Sequence, residues 1–173
     1  MPRNIEIKAR IDSVEALLQV ATTLTGTQPT HIAQDDSFFD VPHGRLKLRQ
    51  FADGGAELIH YHRPDDSAAK ASHYVLVPVP DPAALREALT RACGLRGRVR
   101  KQRWLFLVGQ TRIHVDRVEG LGDFMELEVV LRDGQSDADG VRIADELMQA
   151  LGLANAPRIA GAYLDLAGNR VAT

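Results

Sequence analysis

Charged and apolar residues alternate with a period of two in six segments of the chain, which is the spacing expected of a β-strand. The clearest is Arg45-Leu46-Lys47-Leu48-Arg49-Gln50, in which three cations share one face and two leucines share the other. The other five segments begin at Glu6, Glu57, Lys101, Arg112 and Glu126, and acidic residues join their charged faces. A solvated face explains one such strand, but it is a weaker explanation for six.

Turn-forming residues divide the chain into about eight antiparallel strands. Pro42-His43-Gly44 and Ala52-Asp53-Gly54-Gly55 are typical hairpin connections. A polar loop that carries Lys70 is predicted before the fifth strand. Beyond the alternating segments, the strand boundaries are predicted at Gln34 to Val41, His73 to Val79, Val99 to Val108, Thr111 to Val118 and Phe124 to Leu131.

Three amphipathic helices are predicted from apolar residues at helical spacing. The first begins near Asp12-Ser13, the second begins at Asp81-Pro82, and the third spans about Ala138 to Leu151. A short helix is expected at Ala162 to Leu166. Its Tyr163 and Asp165 are expected to pack against the rest of the protein or to close one end of a barrel.

Antiparallel strands combined with helices indicate an α+β fold. The apolar strand faces need cover, and the apolar stripes of the helices provide it. If the helices pack outside a closed sheet, the charged faces line its inside. The expected fold is therefore an eight-stranded antiparallel closed β-barrel with a charged lumen and helices packed outside. Residues 1–173 are expected to form a single domain.

The composition is that of an ordinary globular protein and excludes several classes of function. Of 173 residues, 45% are hydrophobic and 25% are charged, and the net charge of −2 does not favour nucleic acid or an anionic membrane. The single Cys93 excludes an internal disulfide framework and, with scattered histidines, offers no zinc-ligand spacing. No apolar segment resembles a signal peptide or a membrane span. A cytoplasmic location is expected.

The charges that would line the lumen predict the class of ligand. Cations outnumber acids there, and like charges about 4 Å apart repel by roughly 4 kcal/mol at an effective dielectric of about 20, so the excess favours a polyanion. Glu126 and Glu128 lie two residues apart on one strand face and can converge with Glu6 on a hard divalent cation. Carboxylates beside clustered cations therefore indicate a polyphosphate bridged by a metal ion.

Four segments resemble successive signatures of the CYTH superfamily, also called triphosphate tunnel metalloenzymes. They are Asn4-Ile5-Glu6-Ile7-Lys8, Arg45 to Gln50, Arg112 to Gly122 and Phe124-Met125-Glu126-Leu127-Glu128. The resemblance extends from Ile5 to about Asp165 and is greatest to class IV adenylyl cyclases. It implies an eight-stranded antiparallel tunnel that binds a triphosphate together with Mg²⁺ or Mn²⁺.

The resemblance also implies roles for individual residues. The implied metal ligands are Glu6, Glu126 and Glu128. The implied phosphate-binding residues are Lys8, Arg45, Lys47, Arg49, Lys70, Lys101, Arg103 and Arg112. The residues assigned to catalysis are Lys8, Asp116 and Arg103, with Asp116 orienting the nucleophile or binding a second metal ion. Asn4 replaces the first glutamate of the family motif, so a second metal position loses one charge.

Three functions stay open at this point. The leading hypothesis is a class IV adenylyl cyclase-like enzyme that converts ATP to cyclic AMP and pyrophosphate. The alternative is a triphosphatase that hydrolyses thiamine triphosphate, a nucleoside triphosphate or tripolyphosphate. A non-catalytic polyphosphate-binding or nucleotide-binding module is the third. In each case the expected partner is a small-molecule triphosphate, without nucleic acid or membrane, and a homodimer is permitted.

Overall fold

Eight antiparallel strands close into a barrel in the computed structural model, which describes residues 3–62 and 70–168. Around the barrel the strands follow the order β1-β5-β4-β3-β2-β6-β7-β8, and β8 returns to β1. The strands are β1 (Arg3–Arg10), β2 (Thr30–Phe39), β3 (Arg45–Phe51), β4 (Ala56–His62), β5 (Lys70–Pro78), β6 (Leu95–Val108), β7 (Thr111–Val118) and β8 (Gly122–Val130). The predicted α+β closed barrel is confirmed.

Four helices accompany the barrel within the described residues. They are α1 (Val14–Thr25), α2 (Pro82–Cys93), α3 (Asp137–Ala150) and α4 (Tyr163–Gly168). The first three begin where their sequences supply N-caps, because Ser13, Asp81 and Ser136 each accept a hydrogen bond from a backbone N–H of the first turn. None of the described helices is both long and apolar enough to cross a bilayer.

The segment around Lys70 corrects one prediction. Lys70 is the first residue of β5 rather than part of a loop, and its backbone pairs with Glu6 of β1. A closed barrel needs β5 to reach β1, and only β5 supplies the strand between β4 and β1. The polar residues Lys70 and Ser72 suggested a loop, but this pairing keeps them in the sheet. The Lys70 side chain lies outside the described part of the structure.

The outer faces of β1, β6, β7 and β8 form the main hydrophobic core together with α1 and α3. This core includes Ile5, Ile7, Ile113 and Leu127, which are fully or almost fully buried. A Cβ atom at Gly140 of α3 would lie only 2.4 Å from Ile5 Cγ1, so the absence of a side chain lets this helix approach β1 closely. The apolar faces of these strands therefore point outward, and their charged faces point into the barrel.

A second apolar cluster fills one end of the barrel interior. Buried side chains from four strands meet Tyr163 of α4 there, and residues of the C-terminal segment cover them. The strand residues are Phe38, Val99, Val118 and Phe124, and Leu121 joins them from the β7–β8 connection. Gly97 of β6 allows this closure, because a Cβ atom there would lie 2.5 Å from Leu164 Cδ1. The expectation that Tyr163 closes one end of the barrel is confirmed.

The outer face of β3, β4 and β5 is covered less completely. Helix α2 packs on this side against Leu48 and Ala56, but no residue of the helix itself is fully buried. On β5 the outward-facing Val75 and Val77 are 50% and 48% exposed. The barrel wall is therefore thinner on this side than under α1 and α3.

Candidate active site in the barrel lumen

A cavity of about 320 Å³ occupies the barrel interior. Residues of all eight strands and of the C-terminal segment line it. Its charged lining residues are Glu6, Lys8, Asp36, Lys47, Arg49, Glu57, Lys101, Arg103, Arg112, Glu126 and Glu128. The charged strand faces identified in the sequence thus come together around one cavity.

Arg103 of β6 is the centre of a buried ionic network. Its guanidinium donates two hydrogen bonds to Asp116, from Nε to Oδ1 at 2.7 Å and from Nη2 to Oδ2 at 2.6 Å, and a third to Glu126 Oε2 at 3.0 Å. Tyr163 donates a further hydrogen bond from its hydroxyl to Asp116 Oδ2 at 2.8 Å. Burial opposes the ionisation of Asp116, but the charges of Arg103 and Lys101 outweigh it and hold the Asp116 pKa well below its usual value.

Two lysines flank the ring of Tyr163. Lys8 Nζ lies 4.2 Å and Lys101 Nζ lies 5.1 Å from the ring centre, within the range of cation–π interactions. Lys8 also lies 3.7 Å from Glu126 Oε1, whereas Lys101 forms no ion pair with a carboxylate of the described residues. Burial and the nearby Arg103 hold the Lys101 pKa well below the usual lysine value. An anion in the cavity would therefore favour the protonated form of Lys101.

A second network joins β2 and β3. Asp36 accepts two hydrogen bonds from Arg49, at 2.8 and 2.7 Å, and one from Lys47 at 3.1 Å. Burial opposes the ionisation of Asp36, but Arg49 and Lys47 outweigh it and hold the Asp36 pKa well below its usual value. Burial, with the charge of Arg49, lowers the Lys47 pKa to about 8. Asp36 thus holds two cations side by side at the cavity wall.

A third group lies on β7 and β8. Glu128 Oε2 is 3.5 Å from Arg112 Nη1 and 3.2 Å from His114 Nε2. Burial, together with the charge of Arg103, lowers the His114 pKa, so the imidazole is neutral at pH 7. His114 belongs to the inner face of β7, between Arg112 and Asp116, where its ring lies beside Glu128.

The charge of the cavity wall is more balanced than the sequence indicates. The lining contains six cations and five carboxylates among the described residues, and Asp116 lies directly behind Arg103. Asp36 accounts for part of the difference, because the strand pattern did not identify it. The charged face that begins at Glu6 ends with Arg10, but Arg10 does not line the cavity, because its guanidinium donates to the Leu121 carbonyl and lies over the Phe124 ring. Any polyanion must therefore compete with carboxylates for these cations.

Three residues with predicted site roles are not described as lining the cavity. Arg45 lies beside it and forms an ion pair with Asp165 at 2.8 Å. Asp116 is fully buried behind Arg103, which places it in a supporting position. The third is Lys70, for the reason given above. Of the implied phosphate-binding residues, the cavity brings together Lys8, Lys47, Arg49, Lys101, Arg103 and Arg112.

The chemistry of the carboxylate side of the cavity fits a hard divalent cation. Glu6 and Glu128 are directly paired on β1 and β8, and both line the cavity. Asn4 adds a buried amide oxygen, Oδ1, that accepts no hydrogen bond within the described residues. Carboxylate and amide oxygens are both common ligands of Mg²⁺ in proteins. No group of three or more described His, Cys, Asp or Glu side chains is spaced to share an ion, and Glu126 contacts Arg103, so the set Glu6, Glu126 and Glu128 stays a prediction.

One part of the lining carries no charge, and sequence alternation did not identify it. Ile59 and Tyr61 of β4 face the cavity together with Tyr74 and Leu76 of β5. The spacing of two places Ile59 and Tyr61 on the same face as Glu57, but no local pattern shows that Tyr74 and Leu76 lie beside them. The lumen therefore has both a charged wall and an uncharged wall.

The comparisons with known proteins agree with this geometry. The model of the CYTH domain matches residues 2–163. The chain is 27% identical over 165 residues to the adenylate cyclase CyaB of Aeromonas hydrophila, covering 88% of this chain and 82% of that protein.

Two solved structures have the same fold. The PH1012 protein from Pyrococcus horikoshii OT3 has a TM-score of 0.84 and 24% identity, with 94% of this chain and 98% of that chain covered. The protein HpAC1 from Hippeastrum, for which a dominant triphosphatase activity is described, has a TM-score of 0.66 and 17% identity, with 99% and 96% covered.

Proposed function

Because the chain belongs to the CYTH domain family, we propose that it is a metal-dependent enzyme that acts on a triphosphate, converting ATP to cyclic AMP and pyrophosphate. One observation carries the triphosphate assignment: six lysines and arginines from four strands face one cavity that also holds paired carboxylates. The relationship to the adenylate cyclase CyaB supports cyclisation.

The cations bind and orient the phosphates. Arginine contacts phosphate oxygens as a two-pronged donor and lysine as a point charge, so Arg49 and Lys47 on one wall and Arg103 and Lys8 on another hold a linear polyphosphate from both sides. Asp116 and Tyr163 fix the guanidinium of Arg103 beneath it. This fixed geometry stabilises the charge that develops on the leaving group in the transition state.

The carboxylate side supplies the metal position. We assign Glu6, Glu126 and Glu128 as ligands of Mg²⁺ or Mn²⁺, with Asn4 contributing a neutral oxygen. When bound, the ion neutralises phosphate charge and makes the attacking hydroxyl easier to deprotonate. The neutral amide of Asn4 lowers the negative charge available there, which favours fewer metal ions than a glutamate would.

Hydrolysis of a triphosphate is the second candidate, because HpAC1, for which a dominant triphosphatase activity is described, has the same fold. The cations and carboxylates of the cavity would serve either reaction, since both need the phosphate charge to be neutralised and the attacking group to be positioned. Lys101 forms no ion pair with a carboxylate of the described residues and, when protonated, would bind a phosphate oxygen in either reaction.

Product analysis separates the candidates. The purified protein is incubated with ATP, tripolyphosphate or thiamine triphosphate, in the presence of Mg²⁺ or Mn²⁺. Cyclic AMP with pyrophosphate supports cyclisation, and orthophosphate supports hydrolysis. Binding without turnover of any of the three contradicts the enzymatic assignment.

The Glu128→Ala variant tests the metal assignment. We expect it to abolish turnover in either enzymatic reaction, because a charged ligand is lost. Glu87→Ala is the matched control, since Glu87 is an exposed glutamate of α2 that pairs with Arg91 of the same helix, and it is expected to retain full activity. Full activity of Glu128→Ala, with an unchanged melting temperature, would refute the assignment of Glu128 as a ligand.

A further inference from the structure

Two neighbouring cross-strand pairs form an uncharged surface on the inner wall of the barrel. Ile59 pairs with Leu76, and Tyr61 pairs with Tyr74, in the register of β4 and β5. All four residues line the cavity. Residues directly opposite on antiparallel strands have neighbouring side chains, so the four make one continuous surface, here called the apolar patch.

The apolar patch differs from the apolar cluster that fills the closed end of the barrel. Residues of that cluster are almost completely buried against one another and against α4. In the patch Ile59 is buried, but Leu76 remains 44% exposed and both tyrosines are half-buried, although they face the interior of the barrel. A surface used only for packing would be expected to be covered. The patch instead presents apolar area to the cavity.

The patch lies directly beside the cations proposed to bind phosphate. Lys47 pairs with Ile59 across β3 and β4, and its Nζ lies 5.5 Å from the centre of the Tyr61 ring. A ligand that places phosphate oxygens at Lys47 therefore has its adjoining group next to the patch. An inorganic polyphosphate gains nothing from apolar surface, whereas a planar ring stacks on tyrosine and packs against leucine and isoleucine.

We propose that the apolar patch binds the aromatic end of an organic triphosphate. The substrate class is then a nucleoside triphosphate or another heteroaromatic triphosphate, and inorganic tripolyphosphate occupies only the charged part of the cavity. Glu57 lies on the same face of β4, two residues from Ile59, and also lines the cavity. Its carboxylate is placed to accept a hydrogen bond from an amino group on such a ring. This inference rests on the proposed function, because the phosphates must lie among the cations.

Equilibrium binding tests the patch separately from catalysis. The affinities of the intact chain for ATP and for tripolyphosphate are measured by calorimetry in EDTA, so that metal-dependent turnover is prevented. Replacing Leu76→Ser or Tyr74→Ala is expected to weaken ATP binding about tenfold, as for the loss of one stacking or apolar contact. Tripolyphosphate affinity is expected to stay within about twofold of wild type, which also reports that the barrel is intact.

Two further variants exclude indirect effects. Tyr74→Phe keeps the ring and is expected to retain ATP binding, whereas a role of the hydroxyl in phosphate binding would weaken both ligands. Val75→Ser is the matched control, because Val75 lies on the outer face of the same strand and is half exposed. It is expected to change neither affinity.

The ratio of the two affinities decides the outcome. If Leu76→Ser and Tyr74→Ala leave the ratio of ATP to tripolyphosphate affinity unchanged, the patch does not bind the ring and the inference is overturned, while the proposed function stands. If the wild-type protein binds neither compound in EDTA and turns over neither when Mg²⁺ is present, the proposed function fails and the inference fails with it. If ATP is turned over but binding in EDTA is too weak to measure, the KM for ATP and the inhibition constant of tripolyphosphate give the ratio instead.

Discussion

The two sides of the barrel wall differ in how they are supported. On the covered side, β1, β6, β7 and β8 lie under α1 and α3. On the thin side, β3, β4 and β5 are covered mainly by α2, which buries none of its own residues completely, and part of β5 is uncovered. The Arg103 network belongs to the covered side, and the apolar patch belongs to the thin side. Buried charges require fixed partners, whereas apolar contact tolerates small displacements.

Removing the charge at the centre of the covered side is expected to have the largest effect. Arg103→Met leaves Asp116 buried without its two strongest hydrogen bonds, and we expect a loss of about 3–5 kcal/mol in the free energy of unfolding. Urea denaturation measures this loss. Arg112→Met is the matched control, since Arg112 is partly exposed and its pair with Glu128 is expected to contribute at most about 1 kcal/mol. Equal losses in the free energy of unfolding for the two variants would show that the buried Arg103 contributes no more to stability than the partly exposed Arg112.

Paired leucine truncations compare the two sides directly. Leu127 on the covered side and Leu48 on the thin side both have no exposed area. Leucine-to-alanine changes in protein cores cost about 2–5 kcal/mol, depending on how far the surroundings relax. We expect Leu127→Ala near the upper end of that range and Leu48→Ala near the lower end, because α2 can move toward the vacated space. If the two variants lose the same free energy of unfolding in urea, the two sides of the barrel do not differ in how firmly their helices support them.

The lowered pKa of Lys47 predicts a smaller, pH-dependent effect. Above pH 8 the amine loses its proton, so tripolyphosphate affinity is expected to fall by up to about tenfold between pH 8 and pH 9. The free energy of unfolding changes in the opposite direction. Because the folded-state pKa is below the unfolded value, the unfolded chain binds more protons between pH 8 and 10.5, and the contribution of Lys47 to stability rises over that window.

Calorimetry in buffers of different ionisation enthalpy measures the linked proton uptake. Lys47→Arg keeps the positive charge and is expected to reduce both the proton uptake and the pH dependence of affinity, while the neighbouring Lys101 leaves part of each. A variant that binds with the full wild-type pH dependence would show that Lys47 is not the titrating group.

Local patterns in the sequence predicted most of the strands. The alternation from Thr111 to Val118 gave β7 with the observed ends, because every second residue faces a different environment. β2 and β6 each begin four residues earlier than predicted. Their additional residues are held by the long pairing of these two strands, and no local signal reports the length of a partner strand.

The site was predicted less completely than the fold. The charged residues of the lumen followed from strand periodicity, but Asp36 shares its face with Phe38 and so breaks the alternation of charge. The apolar patch forms only where β4 and β5 are neighbours. The alternation within one strand does not predict which strands pair around a barrel. Tyr61 and Tyr74 become a pair only because β5 follows β4 in the sheet.

Gly97 has a consequence for how the length of the cavity is set. The floor of the lumen is built from side chains of four strands and from a separate short helix, α4, seated where Gly97 leaves room for Leu164. A larger side chain there would lift α4 and draw the Tyr163 hydroxyl away from Asp116. The lack of a side chain at Gly97 thus sets the depth of the cavity. A substitution at this position would change the size of the ligand that fits without changing any charge in the lumen.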